Sequence, residues 1–142
     1  MSEFIAFEGI DGSGKSTQAR ALHRRLIRHE LQVLLVHEPG GTPLGESLRR
    51  WVKRRQGLFA LTELYLFNAA RAQLVEQVIR PALEQGVTVV ADRFSASTVA
   101  YQSYGRGLDL ELVLQINQGA TSGLSPDLTV FLDVPPELGR GR

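Results

Sequence analysis

The sequence predicts an α/β fold in which a parallel sheet is covered by helices on both faces. Four short apolar runs alternate along the 142 residues with segments that have the spacing of amphipathic helices. The apolar runs are nearly continuous, which is typical of strands buried on both faces of a parallel sheet. No linker-like segment divides the chain, so we predict a single domain over residues 1–142.

The composition is that of a globular protein with a substantial core, since 43% of the residues are hydrophobic and 22% are charged. The net charge of +1 gives no general attraction to nucleic acid or to an anionic membrane, so we expect neither as a partner. The absence of cysteine excludes disulfides and cysteine-based zinc sites. An acidic N-terminus and the lack of a membrane-length apolar segment lead us to expect a cytoplasmic protein.

The first half of the chain contains two predicted strands and two predicted helices. Apolar runs indicate strands over 4–7 and 33–37, and a helical pattern covers 15–30 between them. Turn-forming residues over 38–43 end regular structure. The helix that follows has an apolar side with Leu44, Leu48, Trp51 and Val52, and a basic side with Arg49, Arg50, Lys53, Arg54 and Arg55.

A long helix and a third strand come next. Thr62 is a candidate cap for a helix that runs to about Gln85, and Pro81 is expected to kink or divide it. The apolar run over 87–91 then predicts a strand that ends in Asp92.

The last part of the chain repeats the alternation of helix and strand. A helix is predicted over 95–103, and Gly105 and Gly107 break it. Asp109 is a candidate cap for the next helix. A fourth strand is predicted over 128–134.

Residues Gly9 to Thr17 match the complete pattern G-x-x-x-x-G-K-[ST] between a predicted strand and a predicted helix. The glycines let backbone N–H groups turn toward phosphates, and the helix N-terminus adds partial positive charge. Lys15 can reach the outer phosphates, and the Ser16 hydroxyl can ligate Mg²⁺. We therefore predict that the chain binds a nucleoside triphosphate through Gly9, Ile10, Asp11, Gly12, Ser13, Gly14, Lys15, Ser16 and Thr17.

Asp92 ends the third predicted strand, and ligands of parallel sheets gather at the carboxyl ends of strands. Its carboxylate can hold Mg²⁺ opposite Ser16, and the adjacent Arg93 can face a second phosphate. The alternative is that Asp92 caps the following turn. Asp133 is the rival magnesium ligand, but the prolines at 135–136 indicate a turn after it, so we favour Asp92.

The chain resembles the thymidylate kinases, which convert dTMP to dTDP with ATP. The resemblance implies a three-layer P-loop NTPase fold, ATP and dTMP as substrates, Mg²⁺ as cofactor and a homodimer. The matching stretches span the whole chain in the family's order: FEGIDGSGKSTQ at 7–18, EPGGTPLGESLR at 38–49, LFNAARAQLVEQVIRPAL at 66–83, ADRFSASTVAYQ at 91–102 and FLDVPPELG at 131–139.

The resemblance also implies roles for residues that would bind dTMP. Asp11 would receive the sugar 3′-hydroxyl, Phe67 would stack on thymine and Arg71 would bond the thymine edge. Arg93 would hold the acceptor phosphate. Arg49 matches a second arginine with that role in part of the family, although its basic neighbours are almost as typical of a solvated face.

A second group of dTMP-binding candidates follows Arg93 in the sequence. Ser97, Thr98, Tyr101 and Gln102 are spaced so that one helix face can line the pocket. Thr98 resembles the residue that contacts the base, and Tyr101 the ring that crowds the sugar 2′ position. The Glu38–Pro39 bond matches a family turn that often holds a cis proline, which we expect here.

The expected mechanism is direct in-line transfer with no covalent enzyme intermediate. The acceptor phosphate has a second pKa of about 6, so it is largely a dianion at neutral pH and needs no general base. The protein must instead align two polyanions and supply positive charge. Lys15, Arg93, the loop amides and the Mg²⁺ held by Asp92 would supply most of this charge, and we therefore assign catalytic roles to Lys15, Asp92 and Arg93.

The sequence departs from the family pattern in two ways. The loop has no arginine at 10–13, which is typical of members whose catalytic arginines lie in a lid after the fourth strand. The chain stops at Arg140-Gly141-Arg142, so we expect the lid, the last helices, the final strand and the adenine-contacting region to be absent. We assign no catalytic role to Arg140 or Arg142, and turnover by the 142-residue chain alone is left open.

Two alternatives stand beside this interpretation. A deoxynucleoside kinase shares the loop and the Asp-Arg pair but phosphorylates a sugar hydroxyl, which requires a general base such as Glu38. The Phe67–Arg71 pair, Asp11 and Arg49 favour a monophosphate acceptor instead. The second alternative is a nucleotide-binding module without turnover.

Overall fold

The computed structural model describes residues 1–54 and 57–141, which fall into two compact units. The first unit contains Met1–His37, Ala82–Phe94 and Pro126–Arg142, and the second contains Glu38–Pro81 and Ser95–Ser125. Arg55 and Arg142, which were named in the sequence predictions, lie outside the described residues. The single domain over 1–142 stays a prediction.

The first unit is built on a parallel sheet, which confirms the predicted α/β class. The apolar runs form strands because their side chains are buried on the sheet, as all of the first four residues of the third strand are. Within the described residues the strand order is β2-β3-β1-β4, and each neighbouring pair is parallel. The strands are β1 (Phe4–Gly9), β2 (Val33–His37), β3 (Thr88–Asp92) and β4 (Leu128–Leu132).

The first helix, α1 (Lys15–Arg28), buries its apolar side against this sheet. Ala19 of the helix packs with Phe7 and Val90 of the strands, and all three are buried. Half-buried apolar residues surround this cluster: Ile5, Leu22, Leu26, Val33, Leu35 and Val130. The predicted amphipathic helix is therefore confirmed, and its packing fixes the start of the helix above the sheet.

The register of the strands places the phosphate loop beside Asp92. Phe7 of β1 pairs with Asp92 of β3, and Gly9 pairs with Leu132 of β4. Parallel strands end at the same edge of a sheet. The loop after β1 therefore begins next to the last residue of β3.

Along the sequence, the chain between β2 and β4 contains helices both before and after β3. No helix of the described residues is both long enough and apolar enough to cross a membrane. The helical segments between β2 and β4 are α2 (Pro43–Arg54), α3 (Ala60–Leu74), a π-helical segment (Val75–Ile79), α4 (Arg80–Glu84), α5 (Ser95–Thr98), a second π-helical segment (Val99–Gly105) and α6 (Leu110–Thr121). A short helix, α7 (Pro136–Gly139), follows β4.

The predicted long helix exists, but its start was predicted wrongly. The helix begins at Ala60 with Phe59 at the cap position, so Thr62 lies inside its first turn and does not cap it. The predicted division near Pro81 is found as the π-helical segment ahead of α4. Proline lacks an N–H group and its ring crowds the carbonyl four residues earlier, and a wider turn at that point relieves both problems.

Asp109 caps α6 as predicted, because its Oδ2 accepts a hydrogen bond from the Leu112 amide at 3.1 Å. The helical region predicted over 95–103 is also found, although it is α-helical only to Thr98 and then continues as a π-helix to Gly105. The fourth strand ends at Leu132, two residues earlier than predicted.

We predict that Asp109→Ala lowers the free energy of unfolding by about 1 kcal/mol, because an amide of the first turn of α6 loses its acceptor. Asp109→Asn should retain most of the stability, since asparagine caps helices about as well as aspartate. Urea unfolding of both variants measures this. An equal loss in both variants would show that the charge, and not the cap, matters.

Candidate functional site

The phosphate loop of the first unit closes around the carbonyl of Ile10. The Lys15 ammonium, on a residue that is only 5% exposed, donates to the Ile10 oxygen at 2.6 Å, and the Ser13 amide donates to the same oxygen at 3.2 Å. Gly14 precedes α1 with a φ of 95°, a conformation that favours glycine. The loop thus leads directly into the amino end of α1, where unpaired amides favour anions.

Gly12 shows why the loop requires glycine at that position. Its φ is 78°, and a Cβ there would lie 2.2 Å from the carbonyl oxygen of Gly139 in α7. A Cβ on Gly139 would in turn lie 2.7 Å from the carbonyl oxygen of Asp11. The two backbones approach each other so closely that neither position has room for a side chain.

Burial lowers the pKa of Lys15 below its ordinary value, and the positive charge of Arg93 lowers this pKa further. The carboxylates of Asp11, Asp92 and Glu8 oppose both effects. A negatively charged ligand next to the ammonium would act in the same direction as these carboxylates. The loop is therefore suited electrostatically to phosphate groups.

The structure brings Ser16 and Asp92 together, as the sequence suggests. The Ser16 hydroxyl, in the first turn of α1, donates a short hydrogen bond to Oδ2 of Asp92 at the end of β3. A hydroxyl and a carboxylate are the oxygen ligands that Mg²⁺ takes together with water and phosphate, so this pair fits that ion. The described residues hold no cluster of three or more His, Cys, Asp or Glu that could bind a metal by itself.

Arg93 has an uncommon backbone conformation and is held from several sides. Its φ of 76° lies in the left-handed region, which non-glycine residues rarely adopt. Its amide donates to the Phe7 carbonyl at 3.0 Å, Nη1 donates to the Gly9 carbonyl at 3.2 Å, and Nη2 forms an ion pair with Asp11. Residues in such conformations concentrate at functional sites.

Glu8 is a site residue that the sequence analysis missed. Its side chain is buried in β1, and Oε1 accepts a hydrogen bond from the Phe94 amide at 2.8 Å. This bond anchors the chain directly after Arg93 to β1. Glu8 could have been noticed in the sequence as an acidic residue inside an otherwise apolar strand. A carboxylate buried in a strand requires hydrogen-bond partners, so its presence indicates a polar contact.

The second unit contains a buried hydrogen-bonded group, which we call the Arg71 cluster: Glu38, Asn68, Arg71, Thr98 and Asn117. Arg71 is 2% exposed, and its Nε and Nη2 both donate to Oε2 of Glu38, at 2.9 and 2.7 Å. Nη1 donates to Asn117 Oδ1 at 3.0 Å and to Asn68 Oδ1 at 3.4 Å, and Nη2 also donates to Thr98 Oγ1 at 2.8 Å.

These contacts engage all five N–H donors of the Arg71 guanidinium. A ligand that bonds Arg71 must therefore share or replace one of them. Asn117 is itself fixed, because its Nδ2 donates to the Ser95 carbonyl at 3.2 Å and its Oδ1 is left to accept from Arg71. Arg71 and Thr98 were predicted from the sequence, whereas Asn68 and Asn117 were not.

Glu38, the base that a deoxynucleoside kinase would need, is 7% exposed and is bound by Arg71. A carboxylate held in this way is a poor candidate for a general base. The Glu38–Pro39 bond is cis, as expected, and Arg49 donates from Nη1 to the Pro39 carbonyl at 2.9 Å.

A second cluster consists of the buried Glu63 and Gln102 and of Arg106, whose side chain is 40% exposed. Gln102 donates from Nε2 to Glu63 Oε1 at 2.9 Å, and Arg106 donates from Nη1 to Glu63 Oε2 at 2.8 Å. The sequence analysis identified Gln102 but not the other two residues. The only signal for Glu63 was an acidic residue on the predominantly apolar helix α3, and this signal does not identify the partners of Glu63.

The remaining predicted site residues differ in exposure. Thr98 and Gln102 are buried, whereas Tyr101 is 38% exposed. Ser97 and Phe67 are half-buried. Thr98 is the last residue of α5, whereas Tyr101 and Gln102 lie in the π-helical segment that follows. Asp133, the rival acid, and Arg140 are exposed.

A glycine loop between a strand of a parallel sheet and the helix that follows it defines a P-loop nucleotide-binding protein. Residues 7–142 match the family model described as thymidylate kinase. A crystal structure of thymidylate kinase from Ehrlichia chaffeensis superposes with a TM-score of 0.88 at 44% identity and covers 93% of this chain and 71% of its own. The chain belongs to the thymidylate kinase family.

Curated relatives named thymidylate kinase support this assignment. One from Dehalococcoides mccartyi is 51% identical over 94% of this chain, one from Prosthecochloris aestuarii is 53% identical over 94%, and one from Thermomicrobium roseum is 50% identical over 100%. The chain spans 65%, 60% and 68% of the length of these three relatives.

We predict that Glu38→Gln lowers the free energy of unfolding by about 3 kcal/mol, because it leaves the buried Arg71 charge without its counterion. Glu76→Gln is the matched control, since Glu76 also pairs with an arginine, at 3.3 Å from Arg80, but its side chain is 57% exposed. Glu76→Gln should lower the free energy of unfolding by less than about 0.5 kcal/mol. Chemical denaturation measures both variants, and an equal loss of stability in the two would contradict the importance of burial.

Proposed function

We propose that the chain transfers the γ-phosphoryl group of ATP to dTMP, giving ADP and dTDP for dTTP biosynthesis. The Ser16–Asp92 hydrogen bond beside the phosphate loop is the observation that carries the proposed phosphoryl transfer. The relatives named thymidylate kinase support dTMP as the acceptor.

In the first unit, the loop from Gly9 to Thr17 would bind the ATP phosphates through its amides and Lys15. Ser16 and Asp92 would hold Mg²⁺, which when bound neutralises charge on the phosphates. Lys15 and Arg93 supply further positive charge. The burial of Lys15 and its proximity to Arg93 support this role, because both lower the pKa of Lys15 and a negative ligand would offset both effects.

The acceptor nucleotide would use two other groups of the first unit. Asp11 would accept a hydrogen bond from the sugar 3′-hydroxyl, and Arg93 would bond the acceptor phosphate. The ion pair between Asp11 and Arg93 supports this proposal, because it holds the two side chains next to each other. The bonds from Arg93 to Gly9 and Phe7 hold the guanidinium and its backbone against the start of the loop.

The residues proposed to bind the base and sugar belong to the second unit. Phe67 would stack on thymine, and Arg71 would donate to a thymine carbonyl after exchanging one of its present partners. Ser97, Thr98 and Gln102 would supply further polar contacts, and Tyr101 would crowd the 2′ position. Arg49 would be a second arginine on the acceptor phosphate.

Transfer between two phosphates requires alignment and charge rather than a base. The acceptor is largely a dianion at neutral pH, because its second pKa is about 6. Lys15 and Arg93 offset the repulsion between the reacting groups, and direct in-line displacement needs no enzyme nucleophile. The engagement of Glu38 by Arg71 is consistent with this, since no base is required.

We further propose a cytoplasmic homodimer with no nucleic-acid or membrane partner. The near-neutral charge supports the absence of polyanionic partners. Exposed aromatic side chains at the start of α3, with Phe59 81% and Tyr65 54% exposed, offer apolar surface that a second copy could cover.

The substrate assignment is tested by incubating the purified chain with ATP, Mg²⁺ and either dTMP or thymidine, and by separating the products. We expect dTDP from dTMP and no product from thymidine. The Thermomicrobium relative serves as positive control. Phosphorylation of thymidine alone would favour the deoxynucleoside kinase, and dTMP binding without dTDP would favour a binding module.

We predict that Asp92→Asn lowers kcat by about 100-fold or more, because the magnesium site loses its charged ligand, while the affinity for dTMP changes little. Asp133→Asn is the matched control, since Asp133 also follows a strand of the sheet. Steady-state kinetics should show near-normal turnover for this control. A large loss in Asp133→Asn with little loss in Asp92→Asn would reverse the assignment.

A further inference from the structure

Gln102 carries a buried oxygen without a donor. The residue is 0% exposed, and among the described residues its Oε1 is the one buried side-chain polar atom that has no hydrogen-bond partner. A buried acceptor left unpaired is destabilising, so such an atom calls for a specific explanation. A ligand that brings an N–H donor would supply one.

Glu63 determines which end of the Gln102 amide is unpaired. A carboxylate only accepts hydrogen bonds, so the Gln102 Nε2 must face Glu63, and the 2.9 Å contact places it there. Rotating the amide would set its oxygen against a carboxylate oxygen. The interaction with Glu63 therefore keeps Oε1, an acceptor, as the end of the amide that is directed away from Glu63.

Glu63 is itself held firmly enough to act in this way. Its side chain is 8% exposed, and Arg106 donates to it at 2.8 Å. The second terminal nitrogen of Arg106 donates to the Leu58 carbonyl at 3.1 Å. The carboxylate that orients Gln102 is thus fixed by an arginine that is anchored to the backbone.

The unpaired acceptor lies on the same helical stretch as a residue of the Arg71 cluster. Gln102 follows Thr98 by one turn, both side chains are buried, and Thr98 accepts from Arg71 at 2.8 Å. Arg71 offers only donors, and the oriented Gln102 offers an acceptor. These two polarities complement a base edge in which an N–H group adjoins a carbonyl.

We infer that Glu63 is a positioning residue that fixes Gln102 as an acceptor and thereby selects bases with a protonated ring nitrogen. Thymine presents N3–H beside O4, whereas 5-methylcytosine presents an unprotonated N3 beside an amino group. The inference rests on the proposed dTMP site, to which Gln102 belongs, and adds Glu63 and Arg106, which are outside that set of residues. It makes base selectivity depend on Glu63, and secondarily on Arg106.

The experiment compares dTMP with 5-methyl-dCMP, which retains the methyl group. In Glu63→Gln the new amide can donate to Gln102, so Gln102 can rotate and present Nε2 to the base. We expect the ratio of kcat/KM for dTMP over 5-methyl-dCMP to fall about tenfold in this variant. Arg106→Gln, which loosens Glu63 without removing it, should lower the ratio by a smaller factor.

Glu76→Gln is the control, because it makes the same substitution in an exposed arginine pair, and its ratio should match that of the parent chain. Equal losses for both nucleotides in Glu63→Gln would show a merely structural role and overturn the inference. An unchanged ratio would also overturn it. If Glu63→Gln does not fold, the Arg106→Gln ratio decides in the same way.

Calorimetric binding of the two monophosphates gives a readout that does not depend on turnover. If the parent chain binds dTMP but forms no dTDP, the proposed function fails, and the ratio of the two affinities in Glu63→Gln still tests the selectivity. If dTDP forms but neither the kinetic nor the binding ratio changes in the variants, the selectivity role fails and the proposed function stands.

Discussion

Parallel pairing of β1 with β3 is the constraint on which the first unit depends. It places Phe7 opposite Asp92, so the loop after β1 and the residues after β3 start from one edge of the sheet. The Ser16–Asp92 bond and the contact of Arg93 with Gly9 follow from this register. A shift by one residue would turn Asp92 toward the other face and would separate these groups.

Buried polar groups impose the corresponding constraint on the second unit. Arg71 is almost fully buried, and an unpaired charge there would be costly, so its guanidinium must be matched by acceptors on several helices. Glu38, Thr98 and Asn117 meet this need from three separate segments of the chain. Their positions are therefore tied to one another, and the cluster is prearranged before any ligand binds.

The sequence predicts features that depend on neighbouring residues better than features that depend on distant ones. The phosphate loop, the four strands and the Asp109 cap were predicted because each is encoded within a few residues. Asn117 and Glu63 were missed because their partners lie 46 and 39 residues away, at Arg71 and Gln102. The Thr62 cap was wrong because threonine is only a local signal, and the chain enters α3 two residues earlier.

The two buried carboxylates of the second unit act on partners of different chemistry, and this difference matters for function. Glu38 holds Arg71, which has only donors, so the pairing fixes where the guanidinium lies but cannot change what it offers. Glu63 holds Gln102, whose amide can present either a donor or an acceptor, so this pairing also determines the polarity offered. Loss of the first carboxylate therefore acts mainly on stability. Loss of Glu63 changes which bases the Gln102 amide can bind, because rotation of the amide exchanges the positions of its oxygen and its nitrogen.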